Sequence, residues 1–410
     1  MRFIRGSLAG AIALCLACLL VLTISPDRPA AVGFRGEPPP DGGSAASGAP
    51  ALSAGVGTLA PNTVSRRRAL HPLLDEDPVI PAPYNVYANT ISGLVDPKLA
   101  SIKPYVYVPN SLANTVDVID PATMKVVKQF AVGAIPHHIT PSWDMKRLYI
   151  DEEGASQLGV IDPATATLVG NISVPYPYNL YFTPDGKKAI VVVERLARID
   201  FRDPNTWQLI KSVPIPYPGV DHLDFSADGS YFIASTEWSG ILVKVDTRSM
   251  AITGYLNVGG LPIDVRLAPA GDVFYVANQG YRAGVSIVNG NTMQEVGFIK
   301  TGRGAHGLQV SRNTHFMYVS NRDAGTISEI DVAQRTVVAT WRVGGSPDMF
   351  QLSPDGSQLW VSSRYNATVL VIDPESGRVL DSIHAGAGDH GLTYFPNTGS
   401  YSIGHNGVYR

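Results

Sequence analysis

Short apolar segments recur along the chain with a period of 41 to 43 residues, from Tyr105 to the C-terminus. Each unit contains several apolar runs separated by an Asp-Pro-like turn and a Pro-Asp-Gly-like turn, without helical periodicity between them. A repeat of this length built from short strands is typical of one four-stranded sheet per unit. The sequence therefore predicts an all-β fold, a seven-bladed β-propeller of four-stranded antiparallel blades. The seven copies of the first turn contain Asp120, Asp162, Asp203, Asp246, Asn289, Asp331 and Asp373.

The order of strands within the repeat predicts how the ring closes. The first unit begins with a second strand at Tyr105, and the inner strand that it lacks can come from Asp389 to Phe395. Pairing of the N- and C-terminal strands in one mixed blade would protect both free sheet edges. Residues 401 to 405 also have the pattern of a second strand. This surplus segment predicts either displacement of an N-terminal strand or an incomplete eighth blade.

The N-terminus has the charge and hydropathy pattern of an export segment. Arg2 and Arg5 precede an apolar stretch from Leu8 to Ile24, which is the arrangement of a signal peptide. The stretch is long for a cleaved signal and short for a membrane span. Residues 1–25 are therefore expected to be a signal peptide or a signal anchor, and both alternatives stay open. Either one predicts a secreted or membrane-anchored protein at the cell surface.

The segment that follows is poor in large apolar residues. Residues 26–83 are rich in Pro, Gly, Ala and Ser, a composition that predicts a flexible linker. The propeller is expected to occupy residues 84–410. The membrane would then be reached only through the N-terminal segment.

Composition narrows the classes of partner and chemistry. The net charge is -3, and the one basic run, Arg66 to Arg68, lies in the predicted linker, so no basic stripe suggests a nucleic-acid partner. Cys15 and Cys18 both lie in the apolar N-terminal stretch. The predicted propeller has no thiol, which excludes disulfides, thiolate nucleophiles and cysteine-bound zinc there.

Histidines recur at intervals of 84 residues, which is two blades per step. Each follows the Gly or Pro that leads into an inner strand, and inner strands converge on the axis of a propeller. The alternate blades have an amide or a carboxylate at or within one residue of the same position. We predict that these side chains form a ligand-binding ring near one mouth of the central channel. The ring consists of His138, Asn179, His222, Asp264, His306, Asp348 and His390.

The register of this ring is uneven. Relative to the following turn, His306, Asp348 and His390 lie one position earlier than the other four members. Because side chains alternate across a strand, some of them could point into the sheet. His137 is expected on the opposite side of its strand from His138.

The ends of the second strands should lie at the same mouth. Imidazoles and carboxylates together suit a divalent metal such as Zn²⁺, Cu²⁺, Fe²⁺ or Ni²⁺, or a general acid and base. The candidate metal ligands are His138, His222, His306 and His390. The alternative is structural, because polar side chains at a channel mouth also cap strand ends and hold water. The strand-end residues are Asn110, Glu152, Glu194, Glu237, Asn278, Asn321, Arg364 and His405.

No catalytic signature accompanies these residues. Residues 302–307 and 386–391 imitate a dinucleotide fingerprint, but a strand follows each one where that motif needs a helix. The patterns G-x-S-x-G, H-E-x-x-H and the P-loop do not occur. A serine hydrolase, a zincin or a nucleotide-dependent enzyme is therefore not indicated, and no catalytic residue is assigned.

Several second strands end in a shared motif. Tyr107-Val108-Pro109-Asn110, Tyr275-Val276-Ala277-Asn278 and Tyr318-Val319-Ser320-Asn321 resemble the YVTN-repeat, or YncE-like, β-propeller family over about residues 84 to 410. The resemblance implies an exported propeller and no particular reaction. The arrangement is also similar to the propeller of haem-containing nitrite reductases and, more loosely, to lactonase propellers. No C-x-x-C-H occurs, so covalently attached haem is not expected.

Three functional hypotheses follow from the sequence. The first is an exported propeller that acts as a binding module through the face with the histidine ring, for a small molecule, a metal or a cell-envelope protein. The second is a metal-assisted lyase or hydrolase that uses the same histidines. The third is a structural cell-surface protein.

Overall fold

The computed structural model describes residues 85–91 and 93–410, which form seven four-stranded antiparallel sheets. The predicted seven-bladed β-propeller is confirmed. The predicted signal segment, residues 1–25, and the predicted linker, residues 26–83, lie outside the described residues. Within the described part of the chain, no helix has the length and hydropathy that a membrane crossing needs.

The blades follow one another in chain order. Blade 1 consists of β1 (Tyr105–Asn110), β2 (Thr115–Asp120), β3 (Lys125–Ala131) and the last strand, β28 (Thr393–Phe395). Blade 2 consists of β4 (Pro136–Pro141), β5 (Leu148–Glu152), β6 (Gln157–Asp162) and β7 (Thr167–Ser173). Blade 3 consists of β8 (Asn179–Phe182), β9 (Ala189–Val193), β10 (Arg198–Arg202) and β11 (Leu209–Pro214). Blade 4 consists of β12 (Val220–Phe225), β13 (Tyr231–Thr236), β14 (Ile241–Asp246) and β15 (Ala251–Asn257).

Blades 5 to 7 repeat this order. Blade 5 consists of β16 (Pro262–Leu267), β17 (Phe274–Asn278), β18 (Gly284–Asn289) and β19 (Gln294–Lys300). Blade 6 consists of β20 (Ala305–Val310), β21 (Phe316–Asn321), β22 (Thr326–Asp331) and β23 (Thr336–Arg342). Blade 7 consists of β24 (Pro347–Leu352), β25 (Leu359–Ser363), β26 (Thr368–Ile372) and β27 (Val379–His384). Single 3₁₀ turns occur at Ala88–Thr90, Pro97–Leu99, Glu153–Ala155, Glu194–Leu196 and Glu237–Ser239.

Burial along each blade follows its sequence pattern. The second strands are buried throughout, as in β9 (Ala-Ile-Val-Val-Val), because they pack against neighbouring blades on both faces. The outer strands alternate between exposed and partly buried positions, as in β23. The core therefore lies between blades, and the inner strands are left to line the axis.

The predicted closure of the ring is confirmed. β28 pairs with β1 through Tyr105 with Phe395 and Tyr107 with Thr393. A further bridge joins Asn110 to Asp389. Blade 1 thus takes three strands from the start of the propeller and one from its end.

The surplus segment at residues 401–405 forms neither an eighth blade nor a replacement strand. Residues 400–410 fold into a terminal hairpin, in which Ile403 N donates to Val408 O at 2.9 Å. One side of this hairpin pairs with β8, through His405 N to Leu180 O at 2.9 Å. β8 is the inner edge strand of blade 3. The hairpin therefore occupies the axial channel. There it pairs with backbone groups on the free edge of β8.

Contacts with several blades hold the terminal hairpin in the channel. Arg410 Nη2 donates to both carboxylate oxygens of Asp224 in blade 4, at 3.0 and 2.9 Å. Its guanidinium also lies 4.2 Å from the ring centroid of Tyr87. Gln351 in blade 7 donates to Gly407 O at 3.3 Å. All residues of the hairpin from Ser402 onward are buried.

Asp151 in β5 is a buried carboxyl whose two oxygens meet no hydrogen-bond donor among the described residues. Burial, and then the charge of Glu152, raise the pKa of Asp151 well above its ordinary value. The protonated form is therefore favoured in the folded protein. The protonated Asp151 carboxyl makes its full contribution to the stability of the folded protein at pH values below the pKa that Asp151 has in the unfolded chain. That contribution is lost as the pH rises through the pKa that it has in the folded protein.

We expect Asp151→Asn to stabilise the protein by about 1 to 3 kcal/mol at neutral pH, because the amide removes a buried, unpaired ionisable group. The gain should shrink toward pH 4. Thermal denaturation across this pH range measures it. Asp117→Asn is the matched contrast, because Asp117 accepts hydrogen bonds from Asn110, Gln129 and Gly386 and its replacement should destabilise. Equal effects of both substitutions would contradict the prediction.

Candidate metal centre

A β-bulge at the start of the inner strands directs side chains toward the axis. In β4, Pro136 pairs with Glu152 and Ile139 with Ile150, so the two residues between them oppose a single residue. The same irregularity occurs in β12, β16, β20 and β24. A bulge bends the strand and re-aims its side chains. Either of the two bulge residues can therefore contribute to the ring. For this reason His306 and Asp348 belong to the ring, although they lie one position earlier, relative to the following turn, than the four members from blades 2 to 5.

Six imidazoles meet at the axis. The ring centroid of His138 lies 4.6 Å from that of His390, 5.0 Å from that of His405 and 5.4 Å from that of His222. The centroid of His306 lies 6.3 Å from that of His222 and 6.2 Å from that of His390. None of these residues is more than 7% exposed, including His137, the sixth. The structure thus gathers all four histidines of the predicted ring into one buried cluster.

Three of these imidazoles form a triad with convergent ring nitrogens. One nitrogen from each of His138, His222 and His405 lies within 4.8 Å of the others. His138 Nδ1 lies 3.1 Å from Asn406 Oδ1, and His405 Nδ1 lies 3.1 Å from Nδ2 and 3.2 Å from Oδ1 of Asn179. The Nδ1 of His222 lies 2.7 Å from a carboxylate oxygen of Asp221.

The arrangement of the triad leaves the Nε2 atoms of His138 and His222 available. A proton on Nδ1 of either ring faces an oxygen and leaves a lone pair on Nε2. Among residues 85–91 and 93–410, no hydrogen-bond partner meets Nε2 of His138 or of His222. Histidines that bind metals usually donate the other ring N–H to an oxygen acceptor in this way. We refer to His138, His222 and His405 as the imidazole triad.

A second group of ligand atoms lies beside the imidazole triad but is engaged by arginines. His306, Asp348 and His390 also bring one ligand atom each within 4.8 Å. Arg322 Nη2 donates to Asp348 Oδ1 at 2.6 Å and to His306 Nε2 at 2.7 Å. Arg364 Nη1 donates to His390 Nε2 at 3.2 Å. Guanidinium groups therefore occupy the positions that a cation would take in this second group, which we call the arginine-bound triad.

The electrostatics of the two triads differ. Burial and then Arg322 lower the pKa of His306 to about 4, so this ring is neutral. Burial opposes ionisation of Asp348, but Arg322 and His306 hold its pKa well below the ordinary value. Burial also lowers the pKa of His138 and His405 well below the usual range. Burial opposes protonation of His222 as well, but the neighbouring Asp221 carboxylate raises its pKa.

The expectation that His137 points away from the cluster is wrong. Its Nδ1 lies 3.1 Å from Nδ1 of His390, and its Nε2 lies 3.2 Å from a carboxylate oxygen of Glu153. Arg195 in turn donates to both oxygens of Glu153, at 2.8 and 3.0 Å. The cause is the bulge in β4, which breaks the strict alternation of sides. A chain of hydrogen-bonding groups consequently connects His390 to a half-exposed arginine.

The model of the YncE-like β-propeller family matches residues 85–398. The chain belongs to the YncE-like family. No curated protein sequence matches it.

Solved structures share the fold of this YncE-like propeller at low sequence identity. A functionally unknown protein from Desulfotomaculum acetoxidans superposes with a TM-score of 0.61 and 15% identity, over 71% of this chain and 98% of that one. Hydrazine synthase from Kuenenia stuttgartiensis gives 0.56 and 16%, over 62% and 87%. Dihydro-haem d1 dehydrogenase NirN gives 0.56 and 13%, over 77% and 83%. At these identities the likeness concerns the fold alone.

The other predicted ring members of the YncE-like propeller lie beside the imidazoles. Asn179 contacts His405, as described above. Asp264 accepts hydrogen bonds from Val265 N and Leu308 N at 2.9 Å each. Its Oδ1 lies 3.9 Å from His405 Nε2. Asp264 therefore ties two neighbouring inner strands together close to the cluster.

Seven of the eight predicted strand-end residues divide into two groups, and the eighth, His405, belongs to the imidazole triad. Asn110, Glu152 and Asn321 hydrogen-bond within their own blades, as Asn321 does to Thr326 and Ser328 at 3.0 Å, and Asn278 binds the loop before its blade. The residues directly after the second strands form the layer next to the imidazoles. This layer includes the predicted Glu194, Glu237 and Arg364, and also Glu153 and Arg322, which the sequence interpretation missed by one position. Aligning the repeats on Glu194 and Arg364 would have found both.

In this YncE-like propeller, the layer next to the imidazoles has acidic residues on one side and basic residues on the other. Glu153, Glu194 and Glu237 come from blades 2 to 4, whereas Arg322 and Arg364 come from blades 6 and 7. Burial and then Asp221 raise the pKa of Glu194 to about 9 and that of Glu237 to about 7. Glu194 and Glu237 thus resist full ionisation at neutral pH, whereas His137 and Arg195 lower the pKa of Glu153 against the effect of burial.

Proposed function

We propose that this protein is an exported propeller that binds one transition-metal ion through His138, His222 and His405. Two observations support the proposal: one ring nitrogen from each of three buried imidazoles lies within 4.8 Å of the others, and the Nε2 atoms of His138 and His222 meet no hydrogen-bond partner among the described residues. Imidazole ligands suit Zn²⁺, Cu²⁺, Fe²⁺ and Ni²⁺. Three protein ligands also leave a coordination position for a further ligand.

Burial of unpaired imidazole nitrogens favours this function over a structural role. A buried acceptor without a donor costs about 1 to 3 kcal/mol, and the Nε2 atoms of His138 and His222 are buried without a hydrogen-bond partner among the described residues. A bound ion would satisfy both of these atoms.

The proposed location rests on the N-terminal pattern of Arg2, Arg5 and the apolar stretch from Leu8 to Ile24. Export would place the metal centre outside the cytoplasm, with residues 26–83 as a linker. The partners that fit are a metal ion and a small molecule or envelope protein that reaches the channel mouth. Nucleic acid does not fit, since the net charge is -3.

Metal titration of the purified protein tests the proposal. After removal of metal by a chelator, we expect about one Co²⁺ or Zn²⁺ per chain by elemental analysis, because three preformed ligands bind one ion. His222→Ala should reduce the content below about a tenth of an ion per chain under the same conditions.

His384→Ala is the matched control, because His384 lies exposed in the outer strand β27. It should bind metal as the unmodified protein does. A metal content below about a tenth per chain in the unmodified protein, or equal contents in the two variants, would refute the proposal.

A further inference from the structure

Two arginines lie on one side of the imidazole triad. Arg322 and Arg364 occupy equivalent positions in blades 6 and 7, directly after the second strands. Arg364 contacts His390, whose ring centroid lies 4.6 Å from that of His138. The guanidiniums are therefore separated from the imidazole triad by about the width of one ring. The ring of Tyr365 lies 5.7 Å from the guanidinium carbon of Arg322 and 5.9 Å from that of Arg364, so it contacts both.

The charge of these arginines is only partly balanced. Asp348 is the carboxylate that pairs with Arg322, at 2.6 Å. The Nε–H of Arg322 is buried and finds no acceptor in the part of the chain that the structure describes. Arg364 donates to the neutral imidazole of His390. Among the described residues, Asp348 is the one carboxylate that forms an ion pair with either guanidinium, and Glu237 also interacts electrostatically with Arg322. Donors are left for a further acceptor.

We infer that the metal centre takes a small carboxylate or oxyanion as its further ligand, with one oxygen on the metal and another held by Arg364 and Arg322. This inference rests on the proposed metal site. Guanidinium groups form charge-assisted, often bidentate, hydrogen bonds to such anions. A cation beside two arginines also leaves an excess of positive charge that an anion would offset. The size of the ligand is restricted, because the imidazoles are almost completely buried.

Formate is the probe, since it is the smallest carboxylate, and formamide is its uncharged counterpart. Co²⁺-loaded protein is titrated with each compound while the visible absorption bands of the metal are recorded. We expect formate to change the bands in a saturable manner and formamide to leave them unchanged. Arg364→Gln should weaken the apparent affinity for formate by about tenfold or more, and Arg364→Lys by less.

Arg303→Gln is the matched control, because Arg303 is exposed in the loop before β20 and should not affect the formate affinity. Metal content is measured for each variant, and affinities are compared at equal loading. Absence of Co²⁺ bands before formate is added would count against the metal site itself. Normal bands with equal formate affinity in Arg364→Gln and in the unmodified protein, or equal responses to formate and formamide, would overturn the anion inference alone.

Discussion

Replacement of Gly404 by alanine is expected to weaken metal binding by about a hundredfold or more, although residue 404 offers no ligand atom. Gly404 has a φ of 106°, a conformation that an alanine adopts only with strain. A Cβ atom there would lie 2.5 Å from Cα of Tyr181 and would also collide with Leu180 O. Because both obstacles are backbone of β8, the terminal hairpin would have to move away from that strand.

Displacement of the terminal hairpin would remove one ligand and one supporting group from the metal centre. His405 belongs to the imidazole triad, and Asn406 faces Nδ1 of His138. The hairpin also buries Ile403, Val408 and Tyr409. Gly404→Ala should therefore also lower the free energy of unfolding by about 2 kcal/mol or more.

Co²⁺ titration and thermal denaturation measure the two effects. Gly170→Ala is the control, because no atom lies within 4 Å of the added Cβ at that exposed position in β7. His405→Ala separates the two causes, since it should lose metal while the hairpin stays docked. Wild-type affinity for Co²⁺ in Gly404→Ala would show that the hairpin does not position the ligand.

The repeat allowed the blades and much of the cluster to be predicted from the sequence. Equivalent positions in a propeller meet at the axis, so histidines spaced by 84 residues had to come close together. The offset of His306, Asp348 and His390 did not prevent this, because a β-bulge exposes two successive residues to the axis. The alternation of side chains along a regular strand does not predict such a bulge. For the same reason, the predicted position of His137, on the opposite side of its strand from His138, was wrong.

The contribution of the terminal hairpin could not be predicted in the same way. His405 was predicted at this mouth as the end of a second strand, but it lies in the terminal hairpin, and its position depends on pairing between residues 403–405 and the free edge of β8. Such pairing is a tertiary contact without a local sequence signal. Arg322 was missed for a different reason, because strand ends predicted from sequence are uncertain by a residue or more.

The two triads lie side by side and differ in what balances their lone pairs. In the imidazole triad, each Nδ1 lies near an oxygen of Asn406, Asp221 or Asn179, and no arginine among the described residues donates a hydrogen bond to these rings. The arginine-bound triad contains the only carboxylate among the six ligand groups of both triads, Asp348, and this carboxylate is paired with Arg322. The number of metal ions that the cluster binds is thus expected to depend on one guanidinium.

Arg322→Ala should convert the cluster from one metal ion per chain to two. Without the guanidinium, His306 Nε2 and Asp348 Oδ1 lose the donor that lies 2.7 and 2.6 Å away. His306 and Asp348 are then available, and His390 completes a set of two imidazoles and one carboxylate when its Nε2 leaves Arg364, which lies 3.2 Å away. Such a ligand set binds divalent metals. The metal-free variant should be destabilised by about 3 to 5 kcal/mol, because a buried carboxylate loses its counter-charge. Metal should restore more stability in this variant than in the unmodified protein.

Elemental analysis and thermal denaturation with and without Zn²⁺ measure these effects. The double variant Arg322→Ala, Asp348→Asn controls for folding, since it removes the unpaired charge together with the ligand oxygen, and it should bind one ion. A folded Arg322→Ala protein that still binds a single ion would contradict the prediction, as would a second ion in the double variant. In either case the arginine would not determine the metal stoichiometry, and its role would be limited to pairing with Asp348.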